Sequence, residues 1–329
     1  MISDNWKLFI QRKSNSIKTT KVACILAYYN GSEFIKDQLQ SIINQKQETF
    51  DLTIFISDDN SQESFPSLEN LNIDQNIDLE IFYRKSNYNL GYAKNFISSL
   101  NLIGSEYDYY CFSDQDDVWL SNKLEKAIRS IEKLSTKKPV LYGGRTTYYD
   151  AECSRKLGYS LLFKKKPSFR NAIIQNICGG NTMVFNNHAR NIIVKSITNN
   201  FEIVSHDWWC YQIISGSGGI VYYDKLPFIK YRQHGNNILG ANNFQRAKLS
   251  RIISLLAGNF RIWNNINLEA LNKNRILLTK ENQLILSKLN ECRKHSLLRR
   301  IISFYSLGIH RQTNFGNLAL LIAIILKRL

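Results

Sequence analysis

No stretch of this 329-residue sequence is apolar for long enough to cross a bilayer. The last apolar run, Leu318–Leu326, is nine residues long, whereas a membrane helix needs roughly 20. The first 21 residues hold no apolar run of useful length, so no secretory leader is expected. The six cysteines make no Cys-x-x-Cys pair and no zinc-type spacing, which argues against a redox motif or a structural zinc site. Several lie in apolar runs and read as reduced core residues of a cytosolic protein. The glycine-rich fingerprint of dinucleotide enzymes is missing from the first turn, and no Walker-type phosphate loop occurs. Any nucleotide must therefore be held by acidic side chains and a metal, not by a glycine cradle. Acids are scarce at the end: from Ala241 to Leu329 there are 15 Lys/Arg against 3 Glu and no Asp. That segment carries +12 of the net +16, so an anionic surface should be met there. The four prolines all precede Gly240, and the patterning after it is helical.

What is present is an alternation of strand and helix. Val22–Ala27 and Leu52–Ile56 are buried-strand runs separated by a helix through Phe34, Ile35, Leu39, Ile42 and Ile43. Leu79–Tyr83, a helix opened by Gly91, and Tyr109–Phe112 repeat the pattern. Such spacing predicts an α/β fold with a parallel sheet. Further on, Val140–Tyr142, Thr182–Phe185, Gly219–Tyr223 and Phe228–Tyr231 read as strands and Asp207–Ile214 as a short helix. Leu249–Ala257, Ile262–Leu289, Leu297–Leu307 and Leu318–Leu326 read as helices, with a boundary near Gly240. The last run, flanked by basic residues, suits either an interfacial helix or one packed on the main domain.

The chemistry concentrates at strand ends. Asp114, Asp116 and Asp117 follow Tyr109–Phe112 directly, and three carboxylates within four residues repel unless a cation sits among them. Mg²⁺ or Mn²⁺, which take carboxylates together with substrate phosphates, are the natural partners. Tyr28-Tyr29-Asn30 ends the first strand, Asp58-Asp59 the second, and Asn89 to Asn95 follows the third. Each alone is an ordinary turn or cap, but open α/β sheets bind ligands at the carboxyl ends of strands, where all four should meet.

Taken in order, Ala27-Tyr28-Tyr29-Asn30-Gly31, Ser57-Asp58-Asp59-Asn60-Ser61, Asn89-Leu90-Gly91 and Ser113-Asp114-Gln115-Asp116-Asp117 resemble the family 2 glycosyltransferases. His206-Asp207-Trp208-Trp209 and Tyr231-Arg232-Gln233-His234-Gly235-Asn236-Asn237 extend the likeness to the bacterial rhamnosyltransferase-like branch. The resemblance implies a GT-A fold, the nucleotide-diphospho-sugar transferase architecture: a mostly parallel Rossmann-like sheet flanked by helices, with a C-terminal helical extension. It divides the chain into an N-terminal tail (1–20), a catalytic domain (21–240) and a basic helical region (241–329). It implies Asp207 as general base, and Tyr29, Asp58, Asp59, Asn95, Asp114 and Arg232 as nucleotide-sugar ligands. Asp116 and His234 would hold the metal, and Trp208, Trp209 and Asn181 would border the acceptor. Asn181, in Cys178-Gly179-Gly180-Asn181-Thr182-Met183, replaces the family's usual small residue.

The implied activity is metal-dependent transfer with inversion, with L-rhamnose from dTDP-L-rhamnose as the leading donor and a UDP-hexose as the alternative. The acceptor would be a polyprenyl-diphosphate-linked precursor of O-antigen or capsule, met at the anionic inner face of the bacterial cytoplasmic membrane. No nucleic-acid partner is expected, since the basic residues are not interleaved with aromatics in a recognition module. A non-catalytic relative is disfavoured by the presence of Asp114, Asp116, Asp207 and His234.

Overall fold

A computed structural model describes residues 5–13, 20–47, 49–74, 77–135, 137–197, 201–234 and 258–328. The helix expected over Leu249–Ala257 and the Gly235-Asn236-Asn237 end of the last motif lie outside these residues.

Unbroken apolar runs become the centre of the sheet. Strands β2 (Thr20–Tyr28), β3 (Phe50–Asp58), β4 (Leu79–Lys85) and β5 (Tyr109–Ser113) are parallel neighbours in the order β4-β3-β2-β5. Val22 to Leu26 have no exposed surface, the pattern of a strand covered on both faces. Register pairs Tyr28 with Asp58, Asp58 with Lys85 and Leu26 with Ser113, so the carboxyl ends finish level along one edge. Helices α1 (Ile35–Ile43), α2 (Tyr92–Leu102) and α3 (Lys123–Leu134) make the crossovers. In α3 the buried Leu124, Ala127, Ile128 and Ile131 recur at helical spacing and form one stripe.

The expected N-terminal tail contributes to the sheet. Its residues Lys7–Arg12 form an edge strand, β1, antiparallel to β4, and Trp6 packs edge-on against Phe55 at 5.0 Å. Beyond β5 the eight-stranded sheet continues through β10 (Val184–Asn186), β7 (Val140–Gly144) and β11 (Ile220–Asp224). β10 is antiparallel to both its neighbours. The strand expected from Thr182 begins later because Gly180–Thr182 is a 3₁₀ turn, closed by the Thr182 and Met183 N–H groups donating to Gly179 and Gly180 carbonyls.

A second, four-stranded sheet is formed by β6 (Val118–Trp119), β8 (Thr147–Tyr149), β9 (Lys156–Tyr159) and β12 (Ile229–Arg232) in the order β6-β12-β8-β9. Short helix α4 (Phe169–Ala172), α5 (Asn187–Lys195) and α6 (His206–Gly216) complete this half.

The C-terminal region is α7 (Asn259–Lys273), α8 (Lys280–Cys292), α9 (Leu297–Ser306) and α10 (Asn314–Ile325). The helix expected across Ile262–Leu289 is broken at Thr279, whose hydroxyl caps α8 by accepting from the Asn282 N–H. These helices share the core of the main sheet: Leu271, Leu286, Leu289 and Ala323 pack in one cluster with Trp209 and Ile213. The Thr279 N–H donates to the Gly216 carbonyl at 3.0 Å, and the Asn171 amide to the His310 carbonyl at 2.9 Å. Among the described residues no helix is long and apolar enough to cross a membrane.

Candidate functional site

The loops at the level strand edge are stitched to one another. The Tyr29 N–H donates to Gln115 Oε1 at 2.7 Å, and Gln115 Nε2 donates back to the Tyr29 carbonyl at 3.1 Å. A Cβ on Gly31 would lie 2.2 Å from Gln115 Cδ, so a larger residue there would push the Gln115 side chain out of this pairing. The Leu90 N–H donates to Asp59 Oδ1 at 2.7 Å, and the Asn89 amide to the Asp59 carbonyl at 3.1 Å. All four motifs are thus tied to one another in two pairs, the first with the fourth and the second with the third.

The acidic triplet separates by direction. Asp117 turns inward with no exposed surface, accepting from Asn181 Nδ2 and, at 3.4 Å, from the Arg232 N–H. Burial, then the charges of Asp116 and Asp114, push its carboxyl well above the usual range. Asp114 and Asp116 stay partly open on the site side. Burial, with Asp116 and Asp207 adding their charges, raises Asp114 to about 8. Asp116 Oδ2 lies 2.8 Å from His234 Nε2. The pair is brought about by β12, which runs antiparallel to β6 with Lys230 opposite Val118. Phe34 braces it, its ring 4.8 Å from that of His234.

Among the described residues no group of three or more His, Cys, Asp or Glu side chains is placed to hold a metal ion. A carboxylate and an imidazole that leave other positions open nevertheless fit Mg²⁺ or Mn²⁺, which complete their shells with water and substrate phosphate.

Asp207 lies in the first turn of α6, where the helix dipole favours an anion. Its Oδ1 accepts from the Ser205 hydroxyl at 2.6 Å and the Trp208 N–H at 2.7 Å, which fixes the carboxylate. Its charge helps raise both Asp114 and Tyr92, the latter to about 12 with burial as the main cause. Asp207, Asp114 and Tyr92 are therefore electrostatic neighbours, with Asp116 also acting on Asp114.

The neighbouring His206 is buried, its ring stacked 4.1 Å from Phe96 and edge-on to Phe112 at 5.1 Å. Neither ring nitrogen finds a hydrogen-bond partner among the described residues. A Cβ on Gly180 would come within 2.1 Å of Nε2, so that glycine makes room for the ring. Burial pulls His206 down to about 4, against the opposing pull of Asp207. Between that value and its ordinary 6.5 the unfolded chain binds a proton the folded one does not, so this residue's effect is to lower stability as pH falls. By pH 4.5 the loss should reach roughly 2–3 kcal/mol. Urea unfolding at pH 7 and 4.5 should show that much less acid sensitivity in His206→Phe than in wild type; equal sensitivity would contradict the assignment.

Several expected ligands are placed deeper than the sequence implied. Trp209 has no exposed surface and donates to Ser196 Oγ, a core role that leaves it nothing to offer an acceptor. Trp208, 7% exposed, donates to the Ala172 carbonyl. Asn181 is 3% exposed and engaged by Asp117, so it orders the acidic loop from behind instead of lining the acceptor space. Asn95 is buried, accepting from Ser57 Oγ and donating to the Ser57 carbonyl, and so anchors the end of β3. Asp58 is buried too, accepting from the Ser61 N–H and the Tyr83 hydroxyl. Arg232, 3% exposed, reaches the Asp116 carbonyl at 2.8 Å and Asp37 at 3.0 Å, and lies over the Phe34 ring. Its guanidinium rivets the acidic loop to α1. Tyr29 is 45% exposed, whereas Asp59 is only 3% exposed, with its Oδ1 already taken by the Leu90 N–H. Gln115, Phe34 and Tyr92 were not singled out from the sequence. Gln115 stood inside the acidic motif, whereas nothing local marked the other two.

Residues 23–193 match the family Glycosyl transferase family 2. The chain is 33% identical over 235 residues to the dTDP-rhamnosyl transferase RfbG of Shigella flexneri, covering 69% of this chain and 78% of that one. It is 25% identical over 246 residues to an uncharacterized glycosyltransferase of Haemophilus influenzae, 70% and 71% of the two chains. Among solved structures, TarS 1-349 of S. aureus in complex with UDP-GlcNAc superposes with a TM-score of 0.50 over 93% of this chain and 90% of that one. At 13% identity that likeness concerns the fold, a GT-A glycosyltransferase architecture. With a family match over half its length and a relative this similar, the chain belongs to glycosyl transferase family 2, and is a glycosyltransferase.

Proposed function

We propose that this protein moves L-rhamnose from dTDP-L-rhamnose, with inversion, onto a polyprenyl-diphosphate-linked precursor of a cell-surface polysaccharide. What supports this reading best is the closeness of Asp114 to both Asp116, which pairs with His234, and Asp207, whose carboxylate is fixed by Ser205 and whose charge acts on Asp114. The donor choice is supported by the likeness to a dTDP-rhamnosyl transferase. In this reading Asp207, with Oδ1 tied by Ser205 and Trp208, presents Oδ2 to the acceptor hydroxyl and takes its proton as that oxygen attacks the anomeric carbon. Asp116 and His234 would hold a divalent cation, which when bound would supply positive charge to favour departure of the diphosphate. Asp114 lies beside them toward the ribose, and Tyr29 and Asp59 receive the nucleoside at the strand edge.

A panel of dTDP-L-rhamnose, UDP-glucose, UDP-galactose and UDP-GlcNAc, assayed for released nucleoside diphosphate with Mg²⁺ or Mn²⁺, tests the assignment. Turnover should be fastest with dTDP-L-rhamnose and vanish in EDTA. Preference for a UDP-sugar would replace the donor, and metal-independent turnover would remove the cation from the account.

A further inference from the structure

Helices α9 and α10 are anchored by one side and apolar on the other. In α9 the buried Phe304 and Arg300 face the body, while Leu298 (72% exposed), Ile302 (61%) and Tyr305 (61%) recur one helical turn apart on the outside. In α10 Leu320, Ala323 and Ile324 are buried, while Phe315, Leu318, Ile322 and Ile325 form an exposed row. Arg300 joins the two, donating to the Ile324 carbonyl at 2.9 Å and the Ile325 carbonyl at 3.3 Å. Two rows of exposed apolar side chains, on helices joined by Arg300, point to a partner.

Charge indicates which partner. From Arg293 to the end of the chain there are seven Lys/Arg and no acid, and Lys294, Arg299 and Lys327 are exposed. A second copy docking here would set this cationic rim against itself, whereas an anionic surface would be attracted to it. Helices of 10 and 12 residues are too short to span a bilayer, but they can lie in its interface with the apolar row among the acyl chains and the cations among the headgroups.

We propose that the outer face of α9 and α10 docks on an anionic lipid bilayer. The idea rests on the glycosyltransferase reading only in supplying the surface where a lipid-linked acceptor would be met. Docking itself is independent of turnover.

The full chain should sediment with vesicles of phosphatidylcholine and phosphatidylglycerol and not with phosphatidylcholine alone. Binding should weaken as salt rises, because the attraction is screened over about 10 Å at 0.1 M and about 3 Å at 1 M. Removing the two helices would open the core, since Phe304, Leu307, Leu320 and Ile324 belong to it. The variant Leu298→Glu/Ile322→Glu alters only exposed positions. It should keep the wild-type circular dichroism and melting curve, and nucleoside diphosphate release in solution, while vesicle affinity falls at least tenfold. Equal sedimentation with both vesicle types, none with either, or an unchanged variant would overturn the docking face. So would a wild-type dimer that the variant abolishes. If docking fails while the diphosphate is still released, the enzymatic reading stands; if docking holds without release, only that reading falls.

Discussion

Asp207→Asn should leave folding and donor affinity close to wild type and cut turnover by roughly 10² or more. The geometry makes this substitution unusually clean. Both internal hydrogen bonds to Asp207, from the Ser205 hydroxyl and the Trp208 N–H, fall on Oδ1, which the asparagine carbonyl can replace. The start of α6 is kept, and what disappears is the one oxygen able to take a proton from an acceptor hydroxyl. Steady-state kinetics should show the loss in kcat with the donor KM little changed. A variant retaining more than about a tenth of wild-type turnover has lost under roughly 1.4 kcal/mol of transition-state stabilisation, too little for a base. Asp114 would then be the carboxylate to examine, because it is an electrostatic neighbour of Asp207 and burial already holds it near 8.

Asp116→Ala is expected to abolish metal-dependent donor binding, a loss on the order of 10² in affinity, since a bound cation commonly provides several kcal/mol of charge stabilisation. His234→Ala should weaken binding less, by about 10-fold, because the carboxylate remains. Asp117→Ala separates site from scaffold. Asp117 is sequestered behind the loop with Asn181 and the Arg232 backbone, so its loss should lower the melting temperature before it lowers metal affinity. Calorimetric titration of the nucleotide donor with and without Mn²⁺ distinguishes the three. Unchanged donor affinity in Asp116→Ala would end the metal assignment.

The parallel half of the fold was legible because its signals are local: unbroken apolar runs, strand-end acids and amphipathic helices such as α3. The strand-end motifs identified the working edge for the same reason, since consecutive parallel strands deliver their carboxyl ends to one side. Depth was not legible. Asn95, Asp58, Asn181 and Arg232 are polar residues inside recognisable motifs, and a motif does not say whether a side chain faces the ligand or supports the loop that does. Their partners, Ser57, Tyr83, Asp117 and Asp37, come from elsewhere in the sequence and become neighbours only on folding. Trp209 misleads similarly: beside the candidate base it suggests a sugar platform, yet a helix turns adjacent residues about 100° apart and sends it into the core. β1 escaped notice because an edge strand exposed at all but Ile10 carries no alternation, and its register comes from β4, some seventy residues away. The C-terminal helices were recognised as helices, but their two-sided character needed the body they pack against.

Anomalous scattering from Mn²⁺ in crystals grown with dTDP would test the central claim most directly. One ion should be found bonded to the Asp116 carboxylate and His234 Nε2, in contact with the nucleotide diphosphate, with the thymidine at the carboxyl edge of β2 and β3 near Tyr29 and Asp59. An ion held by other residues, or a nucleotide seated away from that edge, would contradict it.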